Sequence, residues 1–325
     1  MKVVVTGAAG HIGGNLTRAL IARGERPRVL VRSDRRALDG LDVEVVDGDV
    51  RDRASLERAF DGAERVFHLA AHISISPGEE ELVEAINVRG VKNVVEACLA
   101  RGVKRLIHFS SIHALASEPT GTPVDESRPL AADSPLTYDR SKAGGEREVR
   151  AGIERGLDAV VVNPTGVIGP HDYRPSRMGE VFLSLYRRTL PGLVEGGFNW
   201  VDVRDVVSGA LACAERGRAG ERYLLSGHRL TMRELAALVE EVTGRRAPKM
   251  VSPMWLARAS APFATWWATR SGTRPLFTSA SLAALRNHKL VSHDKATREL
   301  GYQPRPVRDT VADTFAWFRE TNALS

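Results

Sequence analysis

The chain has 325 residues, 43% of them hydrophobic, which is enough to bury a large core in one globular unit or in two intertwined units. Its formal net charge of +6 suits an anionic ligand, but the basic residues lack the clustered stripe and aromatic interleaving of a nucleic-acid surface, so we expect no nucleic-acid partner. Only two cysteines, Cys98 and Cys213, argue against a disulfide framework or a metal site, and without a signal-type start or about 18 consecutive apolar residues the sequence predicts a cytoplasmic protein with no transmembrane segment.

The first 22 residues predict a strand, a glycine-rich turn and a helix. Residues 2–6 form an apolar run typical of a buried parallel strand. Residues 12–22 carry Leu16, Leu20 and Ile21 at helical spacing. The chain therefore begins with the strand, turn and helix of a nucleotide-binding unit.

Three glycines, Gly7, Gly10 and Gly13, lie in this turn. Glycine allows a sharp reversal of the chain, the close approach of a pyrophosphate and tight packing of the helix on the strand. Backbone N–H groups and the positive end of the helix dipole would face the phosphates. An ordinary loop is the alternative, but its place after a first strand favours a dinucleotide site. The predicted ligands are Gly7, Ala9, Gly10, His11 and Ile12.

The second predicted strand, Arg28–Val31, ends where an NAD site places an acid on the ribose 2′-hydroxyl and an NADP site places an arginine. Arg32 takes that position, with Ser33, Arg35 and Arg36 behind it. A solvated basic loop is the alternative interpretation. The arginine predicts a preference for NADP(H) over NAD(H), with Arg32 and Arg35 as ligands.

Two further strand ends extend the predicted cofactor site. Residues 43–46 lead to Asp49, whose carboxylate could accept a hydrogen bond from the adenine amino group. Residues 65–69 lead into two alanines, whose small side chains would let the backbone lie against the cofactor. These ends add Asp49, Val50, Leu69, Ala70 and Ala71 to the predicted ligands.

Helical and strand patterns continue to alternate as far as Asn163. The sequence predicts helices over residues 79–100 and 134–155 and strands over residues 104–109 and 159–163. This alternation is typical of an α/β protein with a Rossmann-type doubly wound parallel sheet.

After Pro164 the pattern loosens into loops rich in glycine and proline, with later helices near residues 179–188 and 230–243. We therefore expect two domains. The predicted nucleotide-binding domain is residues 1–163, with 198–216 packing back on it, and the predicted smaller carboxyl-terminal substrate domain is residues 164–197 and 217–325.

Candidate catalytic side chains are Ser111, Tyr138 and Lys142. The i to i+4 spacing of Tyr138 and Lys142 places both on one helix face, where an ammonium beside the phenol would lower its pKa from about 10. A tyrosine could then transfer protons near neutral pH. Ser111, at the carboxyl end of the fifth strand, could donate a hydrogen bond to a carbonyl oxygen, with Ser110 as the alternative.

With these motifs the chain resembles an extended short-chain dehydrogenase/reductase of the NAD-dependent epimerase/dehydratase family. It is most similar to the dihydroflavonol reductase and 3β-hydroxysteroid dehydrogenase branch and to bacterial hopanoid-associated sugar epimerases. Besides the glycine turn and the three catalytic candidates, the likeness rests on residues 31–32, Asp49, 68–71, 87–90, 163–170, 200–206 and 300–304.

The resemblance implies a role for each matching residue. Tyr138 would be the general acid/base, Lys142 its activator and the anchor of the nicotinamide ribose, and Ser111 the group that orients the carbonyl. Asn163 and Pro164 would belong to the nicotinamide pocket. Tyr138 and Lys142 would thus also contact the cofactor. The resemblance also implies a homodimer formed through two long helices.

Two departures from the family guide the choice of reaction. Proline directly follows Asn163, and no tyrosine precedes Gly169, which disfavours a sugar nucleotide. Ser111 is followed by Ile112 and His113 instead of an acid pair, which disfavours elimination. The sequence thus predicts an NADP(H)-dependent oxidoreductase that interconverts a ketone or aldehyde and an alcohol. An epimerase that retains NAD and a cofactor-sensing binding protein are the alternatives.

Residues 254–267 are apolar and rich in tryptophan but too short to span a bilayer. Core packing, a lid over a bulky hydrophobic substrate and contact with a membrane surface are all compatible with this composition. His72, His113, His171 and Tyr173 are further candidates to line the substrate cavity, although each could equally lie in a surface loop.

Overall fold

The computed structural model describes residues 2–73, 78–190, 192–259, 270, 282–283, 285 and 290–324. Residues 260–267 of the tryptophan-rich segment lie outside the described residues. The strands are β1 (Val3–Thr6), β2 (Arg28–Val31), β3 (Glu44–Asp47), β4 (Arg65–His68), β5 (Arg105–Phe109), β6 (Ala159–Pro164), β7 (Gly166–Ile168), β8 (Leu193–Val194), β9 (Gly197–Asp202), β10 (Arg222–Leu225), β11 (His228–Thr231) and β12 (Val251–Ser252).

The helices are α1 (His11–Ala22), α2 (Arg53–Ala59), α3 (Glu80–Glu84), α4 (Gly90–Arg101), α5 (Thr137–Glu154), α6 (Arg177–Arg187), α7 (Val203–Arg216), α8 (Met232–Thr243), α9 (Asp294–Leu300) and α10 (Val307–Glu320). A π-helical turn, Ala85–Arg89, joins α3 to α4 where the sequence predicted one continuous helix. Among the described residues, no helix combines the length and the apolar character needed to cross a bilayer.

Seven strands form one parallel sheet in the order β10-β6-β5-β4-β1-β2-β3. The chain moves outward from β1 in one direction to β3 and then returns to continue from β4 on the other side. This order confirms the predicted doubly wound sheet. In such sheets ligands bind at the carboxyl ends of the strands near the point of reversal, here between β1 and β4.

The central strands of the sheet, such as β1 and β6, are buried on both faces, which explains their continuous apolar runs, whereas the edge strand β3 is largely exposed. In β1, Val3 and Val5 pack with Leu16 of α1 in one core cluster, whereas Val4 packs with Leu56 of α2 in another. Successive side chains point to opposite faces of a strand, so both helical layers are anchored by the same four residues.

A second region is built on two small sheets. Strand β9 lies between β7 and β11, and β8 pairs with β12. Their core contains the fully buried side chains of Phe182, Trp200, Leu235 and Phe315. Helix α8 begins at a capping box between Thr231 and Glu234.

The sequence analysis assigned residues 222–225 to the second domain. In the structure these residues form β10, which pairs with β6 at the edge of the large sheet. Three of its four residues, Tyr223, Leu224 and Leu225, are fully buried, so this short apolar run is stabilised by joining the main core. Helix α7 also packs against the large sheet, because its buried side chains belong to the same hydrophobic cluster as those of α1. The division of the chain into two domains stays a prediction.

The turn between β1 and α1 is held by contacts that only glycine allows. Gly7 has a φ of +73°, and a Cβ there would lie 2.6 Å from the backbone nitrogen of Ala70. A Cβ on Gly13 would lie 2.1 Å from the Gly7 carbonyl oxygen. The helix can therefore begin this close to the strand only if both positions lack a side chain.

We expect Gly13→Ala to lower the free energy of unfolding by about 3 kcal/mol, because the backbone must shift to admit the methyl group. Gly14→Ala is the matched control on the same helix. Its Cβ would lie 3.3 Å from a side-chain methyl of Ala37, and alanine favours helix, so its change should stay within about 1 kcal/mol. Urea denaturation of both variants measures the difference, and equal stabilities would contradict this account of the turn.

Candidate active site

The carboxyl end of β5 and the first turns of α5 bring the three catalytic candidates together. The Ser111 hydroxyl accepts a hydrogen bond from the backbone N–H of His113 at 3.2 Å and interacts with the Tyr138 hydroxyl. Lys142 follows one helical turn after Tyr138. The alternative serine, Ser110, is buried, and its hydroxyl has no hydrogen-bond partner within the described part of the chain. Ser111 is thus the serine that faces the tyrosine.

Burial dominates the electrostatics of this group. It raises the pKa of Tyr138 to about 12, while the hydrogen bond with Ser111 acts in the opposite direction. It lowers the pKa of Lys142 to about 8, while the negative charge of Glu146 acts to raise it. The Lys142 ammonium donates to the carbonyl of Phe109 at 3.2 Å.

The predicted lowering of the Tyr138 pKa by Lys142 is therefore not what this geometry gives. The sequence shows that the two side chains share a helix face, but it does not show how completely that face is covered. Lys142 is only 6% exposed. At Tyr138, the loss of hydration of the phenolate raises the pKa by more than the hydrogen bond with Ser111 lowers it.

Behind the three catalytic candidates lies a buried polar network that the sequence analysis did not predict, although it named Asn163 as a cofactor ligand. Asn163 donates through its side-chain nitrogen to the Ser111 carbonyl at 2.9 Å and to the Glu146 carboxylate at 2.6 Å. Arg222 of β10 pairs with the same carboxylate at 3.1 Å. Glu146 is 4% exposed and lies one turn after Lys142. The regular spacing of Tyr138, Lys142 and Glu146 was a signal for it.

A second side chain connects the helix to the neighbouring strand end. Asn87, in the π-helical turn, accepts from the backbone N–H of His72 at 2.8 Å and donates to its carbonyl at 2.9 Å. It also donates to the Ser141 hydroxyl at 3.0 Å. Ser141 directly precedes Lys142, so the segment after β4 and the catalytic helix are tied together.

Two buried histidines lie close to the ammonium of Lys142. The rings of His68 and His108 stack with centroids 5.4 Å apart, and Thr6 hydrogen-bonds to His68 at 2.7 Å. Burial, and then the positive charge of Lys142, lower the pKa of His68 to about 3. The pKa of His108 is also lowered by burial. Both rings are therefore neutral near pH 7 and add no charge beside Lys142.

The glycine turn has the features of a phosphate cradle. Gly10 is exposed and precedes α1, whose first turn is not capped by any side chain. Leu69 and Ala70 approach Gly7 at the end of β4, and the Ala70 N–H donates to the Thr6 hydroxyl at 3.3 Å. This bare helix start fits the pyrophosphate of a dinucleotide. The structure brings to this edge the predicted ligands Gly7, Ala9, Gly10, His11, Ile12, Leu69, Ala70 and Ala71.

The predicted ribose and adenine ligands follow β2 and β3. Arg32 is exposed directly after β2, and Arg35 pairs with Asp47 at 2.6 Å. Asp49 pairs with Arg51 at 2.7 Å, which lowers the pKa of its carboxyl, with a smaller contribution from Arg32. The side chain of Val50, beside Asp49, is buried in the core. Arg35 and Asp49, which the sequence predicted as cofactor ligands, thus each form an ion pair with another side chain of the protein.

Of the candidate cavity residues, His113 lies nearest to the catalytic group. Its ring meets that of Tyr138 edge-on with centroids 5.7 Å apart, and it pairs with the buried Asp139 at 3.1 Å. His171 and Tyr173 instead stack on each other, and Arg18 of α1 donates to the Tyr173 hydroxyl at 2.9 Å. These two belong to a loop that is fastened to α1.

Comparisons with known proteins find relatives over most or all of the chain. The family model described as "NAD dependent epimerase/dehydratase family" matches residues 3–226. Sterol demethylase protein B of Methylococcus capsulatus is 38% identical over 328 residues, covering 100% of both chains. The 4-hydroxy-2-methyl-3-oxo-4-farnesyl-3,4-dihydroquinoline-1-oxide ketoreductase of Stigmatella aurantiaca is 32% identical, covering 94% of this chain and 92% of its own. The crystal structure of gox2253 has a TM-score of 0.87 at 36% identity, covering 100% of this chain and 99% of that chain.

We expect Glu146→Gln to lower the pKa of Lys142 further below about 8, because the negative charge that stabilises the ammonium is removed. It should also cost about 3 kcal/mol of stability, because Arg222 loses its partner. NMR titration of labelled lysines, with the signal assigned from Lys142→Arg, measures the pKa. Glu154→Gln, an exposed change at the end of α5, is the control, and an unchanged Lys142 pKa in Glu146→Gln would contradict the network.

Proposed function

Because the chain belongs to the NAD dependent epimerase/dehydratase family, we propose that it is an NADP(H)-dependent enzyme that interconverts a ketone or aldehyde and an alcohol. Family membership and the named ketoreductase relative already make it an NAD(P)-dependent oxidoreductase that acts on a small molecule. The proposal adds the cofactor preference, the type of substrate and the residues. The observation that carries it is the contact of Ser111 and Tyr138 one turn from Lys142.

Tyr138 is the proposed proton donor to the substrate oxygen during reduction and the proton acceptor during oxidation. When bound, the nicotinamide cofactor would supply or accept the hydride. With a pKa of about 12, Tyr138 is in its protonated, donating form near pH 7. Reduction thus starts from the protonation state that the site favours.

Ser111 is the proposed orienting group for the same oxygen. Its hydroxyl oxygen is already an acceptor for the His113 N–H, so its proton is available to the substrate oxygen or to Tyr138. The Asn163 bond to the Ser111 carbonyl holds the backbone at this point. A hydrogen bond in place before the reaction stabilises developing charge without further reorganisation.

Lys142 is the proposed source of positive charge for this site and an anchor for the nicotinamide ribose. Its pKa of about 8 leaves most molecules charged at pH 7, and that charge is lost as the pH rises through 8. A cation near the phenol favours proton release in the oxidation direction. Glu146 therefore supports catalysis by keeping Lys142 charged.

The glycine turn is proposed to hold the pyrophosphate, and Arg32 the 2′-phosphate of NADP(H). Arg32 is exposed at the end of β2, where the family contacts the adenosine ribose. The nearest acid after it, Asp34, is paired with Arg36 at 2.7 Å. This pairing leaves Arg32 as the better candidate for the group that distinguishes the two cofactors.

The proposed substrate is hydrophobic. The names of the two relatives refer to a sterol and to a farnesyl-bearing ring, which supports a large apolar carbonyl or alcohol. The cytoplasmic location and the homodimer expected from the sequence are part of the same proposal. The competing function is an epimerase that retains its NAD throughout the cycle.

Tyr138→Phe should reduce turnover by about 100-fold or more, because the variant lacks the transferred proton. Cofactor affinity should change little. Steady-state rates on a panel of hydrophobic ketones, with fluorescence titration of NADPH, test both parts. Tyr173→Phe is the control, because its hydroxyl bonds to Arg18 and not to the catalytic group. Retained turnover in Tyr138→Phe would refute the mechanism.

The protein should bind NADPH more tightly than NADH, and Arg32→Ala should reduce the preference by about 10-fold or more, because a charged hydrogen bond to phosphate is lost. Arg26→Ala, which removes an exposed arginine that precedes the opposite end of β2 and pairs with Asp42, should leave the preference largely unchanged. Equal affinities in the unchanged protein would refute the NADP(H) assignment. Mass spectrometry of the purified protein adds a separate test, since NAD retained through dialysis would favour the epimerase.

A further inference from the structure

Three large apolar side chains are exposed close together in the chain after α8. Met250 is 64% exposed, Trp255 70% and Leu256 46%. A tryptophan exposed to this extent is unusual because its burial is strongly favourable. Exposed groups of this kind mark surfaces that bind a partner.

The segment that carries these three side chains is held in place by backbone hydrogen bonds. Strand β12, between Met250 and Trp255, pairs with β8. The N–H groups of Leu256 and Ala257 both donate to the Pro253 carbonyl at 3.1 Å. Ala257 is buried in a cluster with Val194, so its two preceding neighbours are directed away from the core. Their exposure is thus a consequence of the local structure.

The same stretch of chain is strongly basic. Arg245, Arg246, Lys249 and Arg258 are all exposed. We call these four and the three apolar residues the cationic apolar patch. The acids that contact this segment are Glu240 and Glu195, which accept hydrogen bonds from the N–H groups of Ala247 and Met254.

The net charge of the whole chain does not show how strongly the basic residues are concentrated in this stretch. Residues 242–293 contain eight lysines and arginines but no aspartate or glutamate. The rest of the chain therefore has 38 basic and 40 acidic residues, so the net positive charge of the protein comes from this stretch. Such local asymmetry indicates an interaction with an anionic surface.

We propose that the cationic apolar patch docks the protein peripherally on an anionic lipid bilayer. Tryptophan favours the boundary between headgroups and acyl chains, methionine and leucine add apolar contact, and lysine and arginine are attracted to lipid phosphates. A second copy of the chain is a poorer occupant, because a two-fold contact would place the four basic residues of each copy against those of the other. The proposal is independent of the reaction proposed above.

The test is co-sedimentation of the full-length protein with phosphatidylcholine vesicles that contain or lack phosphatidylglycerol. We expect at least about 10-fold stronger partitioning onto the anionic vesicles and weaker binding as salt is raised, because salt screens the basic residues. Absence of binding to anionic vesicles, or equal binding to both kinds, would overturn the proposal.

Variants locate the contact on the patch. Arg245→Gln/Arg246→Gln/Lys249→Gln should weaken partitioning by about 100-fold, and Trp255→Ala/Leu256→Ala by about 10-fold or more. Arg58→Gln/Arg147→Gln/Arg150→Gln removes three exposed charges elsewhere and should preserve binding within about threefold. Circular dichroism melting shows whether each variant is folded.

Two outcomes would replace lipid by another occupant. If sedimentation velocity shows that Trp255→Ala/Leu256→Ala converts a dimer to a monomer, the patch is a contact between copies. If the protein binds poly-glutamate but no vesicle, the patch serves an acidic protein. A control triple variant that loses as much vesicle binding as the patch variant also overturns the proposal.

Discussion

The site depends on one buried carboxylate. Glu146 sits where α5, β6 and β10 meet, and its charge is shared by an amide from Asn163 and a guanidinium from Arg222. An isolated charge in such a place would be costly, so removing one partner of the Glu146–Arg222 pair destabilises this junction. The same carboxylate favours the charged form of Lys142. One carboxylate thus both joins α5 to the edge of the sheet and favours the charged form of the lysine proposed for catalysis.

The features that the sequence predicted were those with a local pattern. The glycine turn, the spacing of Tyr138 and Lys142, and the helix near residues 230–243 each depend on residues within a few positions of one another. The doubly wound parallel sheet followed from the alternation of elements, although the alternation did not give the order of its strands. Local sequence is sufficient in these cases because the geometry of a turn or a helix decides which residues meet.

The remaining features depend on residues that are distant in the chain. The pairing of β10 with β6 and the contact of Arg222 with Glu146 could not be read from either segment alone. The direction of the Tyr138 pKa was also missed, because burial of the phenol is a property of the packed site. The basic character of the patch was hidden because the rest of the chain is slightly acidic.

The neighbouring positions of β6 and β10 have a consequence for how this chain can change. Arg222 lies beside Val161 and Leu225 lies beside Pro164, so the chain leaves the sheet at the carboxyl end of β6 and returns at the amino end of β10, and the ends of the intervening segment are about 11 Å apart. Doubling the length of a flexible loop costs only about 0.6 kcal/mol in closure entropy. The loops of this segment can therefore change in length at little cost to the stability of the sheet, as long as α7, which packs in the core with α1, is kept.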